Sequence, residues 1–432
     1  MTTLLPEQPP LLETPLASNW RLRALISLTL MHTLVDAAAL LVAPLWPALN
    51  SQFQLGTTTL AFAIIVQALP TSLSQAVFGL MRDRISTPIF LWSGPLIAIS
   101  FLSLIGFASH FWVLCLLFII GGTGVGAFHP EAAVTAGRIF PGYKTRSLSI
   151  FLLGGTLGLC LGPLISGFVV DRYGMQSLIY LIPCFVFAIA LLMRFGRLTS
   201  VARRLEEESR EALHRANSTA SNQMDALPVS TLRKTLILMG AMLLICSLRL
   251  VPNQALDKVI SFHLEDHGFS TLQIARVQSL FLASASIGMM LMAFFFRNGW
   301  EKKFMIFCPV VSAPMLWYMG QPDCPVPVFI GLLIPIGIIL WGTASAMVSY
   351  GQYLFPKGAG FASALTMGIS WGVGSLIQAP ITSKFSATTP NYACVVFVVP
   401  VLISAVLACF LPEMKSPESE PAESSVAGNY TK

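Results

Sequence analysis

Four ionisable side chains stand where a chain bound for a bilayer has no need of them. His32 and Asp36 lie four residues apart in an apolar run, and His129 and Glu131 flank a proline in Phe128-His129-Pro130-Glu131-Ala132. The stretch before that proline, Phe111 to Gly126, holds no charged residue. A charged group at membrane depth costs roughly 2.5–3.5 kcal/mol on insertion scales, so such groups mark sites of function. Residues four apart share a helix face, and an imidazole changes charge near neutral pH when unperturbed. His32 and Asp36 are therefore candidates to load and release a proton. The plainer alternative is a hydrogen-bonded pair that only fixes one span against its neighbours. His129 and Glu131, two apart, point to different faces of a regular helix. Pro130 removes a backbone donor and biases the preceding residue away from α geometry, and a kink there would turn both toward one cavity for proton coupling. The competing readings place Glu131 at the inner end of the span, either as an intracellular gate or, without function, paired with Arg138 or capped by solvent.

A second group follows from Arg249, with Asn253 and Asp257 at i+4 and i+8 on nearly the same helix face. An arginine at the midplane binds a phosphonate, phosphate or carboxylate through two parallel hydrogen bonds. Arg249, Asn253 and Asp257 are thus candidate substrate ligands. The alternative is an internal ion pair between Arg249 and an acidic residue such as Asp36. The two are compatible, because substrate and carboxylate can compete for one arginine. Enzyme chemistry finds no support: the sequence has no metal-ligand cluster of His and Cys, no GxSxG, no P-loop and no HExxH. The eight cysteines are scattered without a CxxC pair and read as small core- or lipid-facing residues. No cofactor and no bound metal are expected.

The elements that must position these residues are membrane helices. Of 432 residues, 55% are hydrophobic and 11% are charged, against about 25% charged in soluble domains. Apolar runs near 20 residues long fall at roughly 22–48, 57–80, 88–108, 111–139, 147–170, 175–194, 235–260, 272–296, 304–320, 326–352, 359–382 and 391–411. The polar insert 197–234 divides these twelve into two sets of six, 21–196 and 235–411. Within the insert, Val201 to His214 has the pattern of a short amphipathic surface helix. A tail at 1–20 and a disordered tail at 412–432 complete the chain. With the N-terminus in the cytoplasm, 21 of the 26 Lys and Arg fall on the cytoplasmic side, as the positive-inside rule requires. Both termini are then cytoplasmic, and the net charge of +6 needs no nucleic-acid partner. Phe140-Pro141 leading to Gly154-Gly155-Thr156-Leu157-Gly158 repeats as Phe355-Pro356 leading to Gly368-Ile369-Ser370-Trp371-Gly372. Parallel repeats of this kind place a substrate site near the midplane between two halves.

This organisation, an all-α integral membrane protein of twelve transmembrane helices in two pseudo-symmetric six-helix halves, resembles the major facilitator superfamily. Gly79-Leu80-Met81-Arg82-Asp83-Arg84-Ile85 resembles the loop signature of that superfamily, although Ser86, Thr87 and Pro88 replace its later glycine and basic residues. The run from Gly154 through Gly158, Gly162 and Pro163 to Gly167 resembles the glycine-proline motif of its antiporters. The resemblance implies conformational switching by Asp83, Arg84, Gly158, Gly162 and Pro163. Close packing of helices through the glycines alone is the simpler account of the last three, and inside-positive anchoring that of Arg84. A narrower resemblance, to the fosmidomycin resistance branch, rests on His32-Thr33-Leu34-Val35-Asp36 with Pro44 and Pro47, on Phe128-His129-Pro130-Glu131-Ala132, and on Gln352-Tyr353-Leu354-Phe355-Pro356 with Gly360-Phe361-Ala362-Ser363-Ala364.

That branch implies a proton-coupled exporter of small drug-like compounds, phosphonate-like anions among them, working by alternating access as a monomer in the cell membrane, a bacterial inner membrane in particular. Its partners are a small-molecule substrate, protons and the lipid bilayer. The same residues would serve an uptake symporter of a small organic anion. A non-transporting receptor is the rival from another class.

Overall fold

Two prolines shape the first span. A helix would send the amide of residue 47 to the carbonyl of Ala43, but Pro47 has no N–H, and Pro44 removes a second donor nearby. In the computed structural model, helix α1 (Asn19–Ala39) accordingly gives way to a 3-10 turn at Ala43–Leu45 before α2 (Trp46–Phe53). Together these make the span expected at 22–48. The structure describes residues 19–82, 88–140, 144–219, 229–295, 299–355, 362 and 364–413.

The remaining helices are α3 (Thr57–Arg82), α4 (Phe90–Ser103), α5 (Phe111–Ile139), α6 (Lys144–Tyr173), α7 (Leu181–Gly196), α8 (Leu198–Thr219), α9 (Val229–Asp266), α10 (Thr271–Phe295), α11 (Glu301–Met319), α12 (Val326–Leu354), α13 (Ser370–Phe385) and α14 (Ala393–Cys409). A π-helical turn, Ala364–Ile369, leads into α13. Ten helices are long and apolar enough to cross a membrane among the described residues. The other two spans are α11, which starts on Glu301, Lys302 and Lys303, and the π turn with α13. The twelve spans thus form two groups of six.

Each half has its own apolar core. One gathers Leu28, Leu41, Trp46, Phe118 and Phe128, the other Val251, Phe281, Phe329, Leu340 and Phe397. The halves meet along two helix pairs, α6 with α10 and α3 with α13. The repeat explains why there are two. Helix α3 starts at Thr57 and α10 at Thr271, about 214 residues apart, and Gly158 of α6 stands the same distance from Gly372 of α13. The two seams are therefore equivalent positions of one repeated unit.

The central insert is more ordered than its charge suggests. Helix α8 fills Leu198–Thr219, longer than the expected Val201 to His214. Leu198, Val201, Ala202 and Leu205 recur at helical spacing and are buried against the first half. Helix α9 then begins at Val229, ahead of the boundary expected at 235. The tail expected at 1–20 lies outside the described residues but for Asn19 and Trp20. The tail expected at 412–432 lies outside them but for Pro412 and Glu413.

Candidate functional site

The side chains of His32, Asp36 and His129 converge where α1 and α5 face each other. His32 Nε2 is 3.2 Å from Asp36 Oδ2. His129 Nε2 is 3.1 Å from Asp36 Oδ1, and the two Nε2 atoms are 3.2 Å apart. Each ring spends its other nitrogen on the backbone. Nδ1 of His32 donates to the Phe151 carbonyl of α6 at 2.9 Å, and Nδ1 of His129 to the Val125 carbonyl one turn earlier at 2.8 Å. A carbonyl only accepts, so Nδ1 of both rings carries a proton. A neutral ring then has only a lone pair to offer at Nε2. Two such lone pairs and a carboxylate, all within 3.2 Å, repel one another. A proton on either Nε2 turns that ring into a donor to Asp36 and resolves the conflict. The geometry suits one proton held between the two rings and the Asp36 carboxylate.

Its walls are specific. His32 stacks on Phe151 with centroids 4.2 Å apart, and its side chain is 5% exposed. The side chains of His129 and Asp36 are 22% and 13% exposed, which leaves one open flank. On the other flank α6 approaches with glycine. A Cβ on Gly155 would lie 2.5 Å from His32 Nε2 and 2.8 Å from Asp36 Oδ2, and one on Gly158 would lie 2.4 Å from the Thr33 carbonyl. The run from Gly154 to Gly162 thus presses backbone to backbone against α1.

The structure divides the sequence-derived residues differently from expectation. His129 reaches Asp36 and His32, and the three close on one another without Glu131. Glu131 is buried, two residues further along α5. The pairing of Glu131 with His129 in one coupling unit is therefore corrected: two residues on one helix point to different faces, and α5 runs on as helix through Pro130. The alternative pairing with Arg138 is corrected as well, since Arg138 meets Glu206 of α8 at 2.8 Å.

Arg249, 2% exposed, donates to the Leu340 carbonyl and to Thr343 Oγ1 of α12 at 2.6 Å. Its expected ion pair with Asp36 is thus not formed, because the guanidinium turns into the second half. Among the described residues no carboxylate pairs with it, and its Nε has no partner. Asn253, 4% exposed, leaves both its amide oxygen and nitrogen unpartnered. Asp257 pairs with the adjacent Lys258 at 2.9 Å, so the expected trio is an arginine with its Nε unpartnered and an amide with neither atom partnered, beside a carboxylate paired with its neighbour. Asp83 and Arg84 lie outside the described residues. Gly158, Gly162 and Pro163 all lie on α6, and a Cβ on Gly162 would meet the Ala37 carbonyl at 2.4 Å.

Two polar links escaped the sequence reading. At the end of the bundle away from the Arg/Lys-rich loops, the Ala43 carbonyl accepts from Ser261 Oγ at 2.7 Å and Gln278 Nε2 at 3.0 Å. These bonds tie the first half to α9 and α10. Nearer the middle, Gln254 donates to the Trp371 carbonyl at 3.0 Å and accepts from Ser375 Oγ at 2.8 Å. Pro47 was the one available signal for the first link; the second has none, because glutamine and serine in apolar helices have no fixed partner by spacing.

Residues 28–379 match the Major Facilitator Superfamily, and the chain belongs to that superfamily of transporters. Among its relatives, the fosmidomycin resistance protein of Escherichia coli is 25% identical over 353 residues, covering 81% of this chain and 83% of that protein. The uncharacterized MFS-type transporter YfnC of Bacillus subtilis is 26% identical over 403 residues, covering 90% and 92%. A multi-drug resistance efflux pump of Streptococcus pneumoniae, PmrA, is 27% identical over a shorter stretch, 37% of this chain and 41% of its own. The fold is shared with a D-xylose-proton symporter structure at TM-score 0.71 and 16% identity, over 91% of this chain and 99% of the other. These findings make the chain a multi-pass membrane transporter with the twelve-helix architecture of the superfamily and relatives in drug resistance.

Proposed function

We propose that this transporter exports a small drug-like compound in exchange for protons, and that His32, Asp36 and His129 carry the exchanged proton. The observation that carries the reading is the meeting of two Nε2 lone pairs with one carboxylate on an open flank. That arrangement holds together with a proton and repels without one. Of the elements packed there, α1 contributes His32 and Asp36, α5 contributes His129, and α6 contributes only backbone and Phe151. A cluster that loses its proton loses the contact between α1 and α5, so protonation biases which arrangement of the helices is favoured. Efflux is supported by the fosmidomycin resistance protein and the multi-drug efflux pump among the relatives. Arg249 and Asn253 are the polar groups we assign to an anionic part of the substrate, since both are buried with unmet hydrogen-bonding capacity. Asp83, Arg84 and the α6 glycines retain the switching role that the superfamily pattern implies. Glu131 is kept as an inner gate on α5. The distribution of Lys and Arg supports cytoplasmic termini, and the resemblance supports a bacterial inner membrane.

The test is transport by the purified protein in liposomes under an imposed pH gradient, with fosmidomycin as the trial substrate. Asp36→Asn and His129→Gln are expected to abolish accumulation driven by the gradient while leaving downhill substrate exchange. Gradient-driven accumulation that persists in both variants would overturn the relay. Accumulation with the opposite polarity would turn the exporter into an uptake symporter.

A further inference from the structure

We propose that His32, Asp36 and His129 also form a binding site for a divalent transition-metal ion of the zinc, cobalt or nickel class, and that such an ion blocks transport by taking the proton's place. The binding rests on ligand geometry alone; the block rests on the proton-exchange reading.

Four donor atoms define the site: His32 Nε2 stands 3.2 Å from Asp36 Oδ2, His129 Nε2 stands 3.1 Å from Asp36 Oδ1, and the two Nε2 atoms are 3.2 Å apart. Around an ion with bonds of about 2.0–2.1 Å, neighbouring ligands stand roughly 2.9 Å apart at octahedral angles and roughly 3.4 Å apart at tetrahedral ones. With Asp36 chelating through both oxygens, the observed N···N and N···O edges fall between the two, so the ion enters with little movement of the side chains. Charge favours it too. Two lone pairs and a carboxylate face a common point, and among the described residues neither Lys nor Arg pairs with Asp36.

The tautomers are set in advance. Ligating histidines characteristically donate their other ring N–H to a carbonyl or carboxylate, which fixes the ring and leaves the second nitrogen for the metal. Both rings here do so, His32 to Phe151 and His129 to Val125. The pairing of two imidazoles with one carboxylate selects the class of ion. Calcium and magnesium take oxygen ligands, whereas imidazole suits zinc, nickel and copper. Phe128, Phe151 and Gly155 close one side, and the partly exposed flank at His129 leaves room for water to complete the shell. Entry of the ion requires both rings to be neutral at Nε2, so binding releases the proton held there.

The full chain, purified in detergent, is titrated with Co²⁺ and followed by visible absorption, with Zn²⁺ as competitor and Mg²⁺ as control. A single saturable Co²⁺ site displaced by Zn²⁺ and not by Mg²⁺ is expected. His129→Ala and Asp36→Ala should weaken it roughly tenfold or more, and His263→Asn, on α9, should leave it unchanged. No saturable binding at millimolar ion, or equal affinity in the two site variants, overturns the site. Should those variants fail to fold, electron spin-echo modulation of Cu²⁺ bound to the unaltered protein counts the coordinated imidazoles. Two support the site, and one or none overturns it. Zn²⁺ should also stop gradient-driven transport. Zn²⁺ that binds at these residues while transport continues would defeat the proton-exchange reading and leave the site standing. Gradient-driven transport by a protein that binds no metal would do the reverse.

Discussion

Asp36 faces two imidazoles that reach it by different routes, one a helical turn away on α1 and one on α5. Its counterpart in the second half is chemically opposite. There α9 and α12, the repeat mates of α1 and α5, meet through Arg249 and Thr343. One half keeps a carboxylate that needs a proton, and the other a guanidinium without a carboxylate among the described residues. Burying an ion without its partner is costly, so Arg249 is a poor choice for stability and a good one for binding an anion. Arg249→Met should therefore leave the thermal unfolding temperature unchanged or raised, by up to about 4 kcal/mol of stability. The same variant should lose transport of an anionic substrate at least tenfold. Lost transport together with lost stability would mark Arg249 as a structural tie to α12 instead.

At the scale of elements, two devices stand out. Helix α6 lies so close to α1 that its glycines leave no space for a side chain. Gly158→Val would put carbon against the Thr33 carbonyl and should cost about 1–3 kcal/mol as overpacking, read as a lower unfolding temperature in detergent. An unchanged temperature would mean that α6 can back away freely. The other device is the break after α1. Pro47 spares the Ala43 carbonyl from its helical partner, and Ser261 and Gln278 of the second half take that place. Hydrogen bonds within membranes are worth about 0.6 kcal/mol on average, a factor of about 3 each in a two-state balance. Ser261→Ala with Gln278→Ala should thus shift the population toward opening at this end several-fold. Spin labels on α2 and α10 would report it as a longer distance distribution, and an unaltered distribution would deny the link any gating weight.

At the scale of the molecule, the connector between the halves is a structural part of the first. Leu198, Val201, Ala202 and Leu205 seat α8 against it, and the Arg138–Glu206 pair is only part-buried. Such a pair contributes at most about 1 kcal/mol, whereas a buried leucine contributes about 2–5 kcal/mol against alanine. Glu206→Ala should leave hydrogen exchange over 198–219 nearly as slow as before, and Leu205→Ala should accelerate it markedly. Equal acceleration in both would show that the ion pair carries the docking. The bipartite plan itself was legible. The twelve apolar runs, the polar insert and the repeat at Gly158 and Gly372 all depend on composition and local order. The His32–Asp36 spacing was legible for the same reason, because residues four apart on a helix are neighbours whatever surrounds them.

Partners on other helices were not legible. Spacing and charge suggest His129 with Glu131, Arg138 with Glu131 and Arg249 with Asp36, and the structure gives each a different neighbour. Periodicity tells which residues share a face of one helix, but it does not tell how that helix is rotated against the next. A charge in an apolar span advertises that a partner exists without naming it. Local sequence thus decided the spans, their grouping into halves, and which residues were too costly to be idle. Packing decided the rest: it turned α5 so that His129 meets Asp36, let α6 approach through glycine to wall that meeting, and turned α9 so that Arg249 faces α12. Those choices belong to the tertiary structure, because each depends on the rotation and separation of helices about a hundred residues apart in the chain.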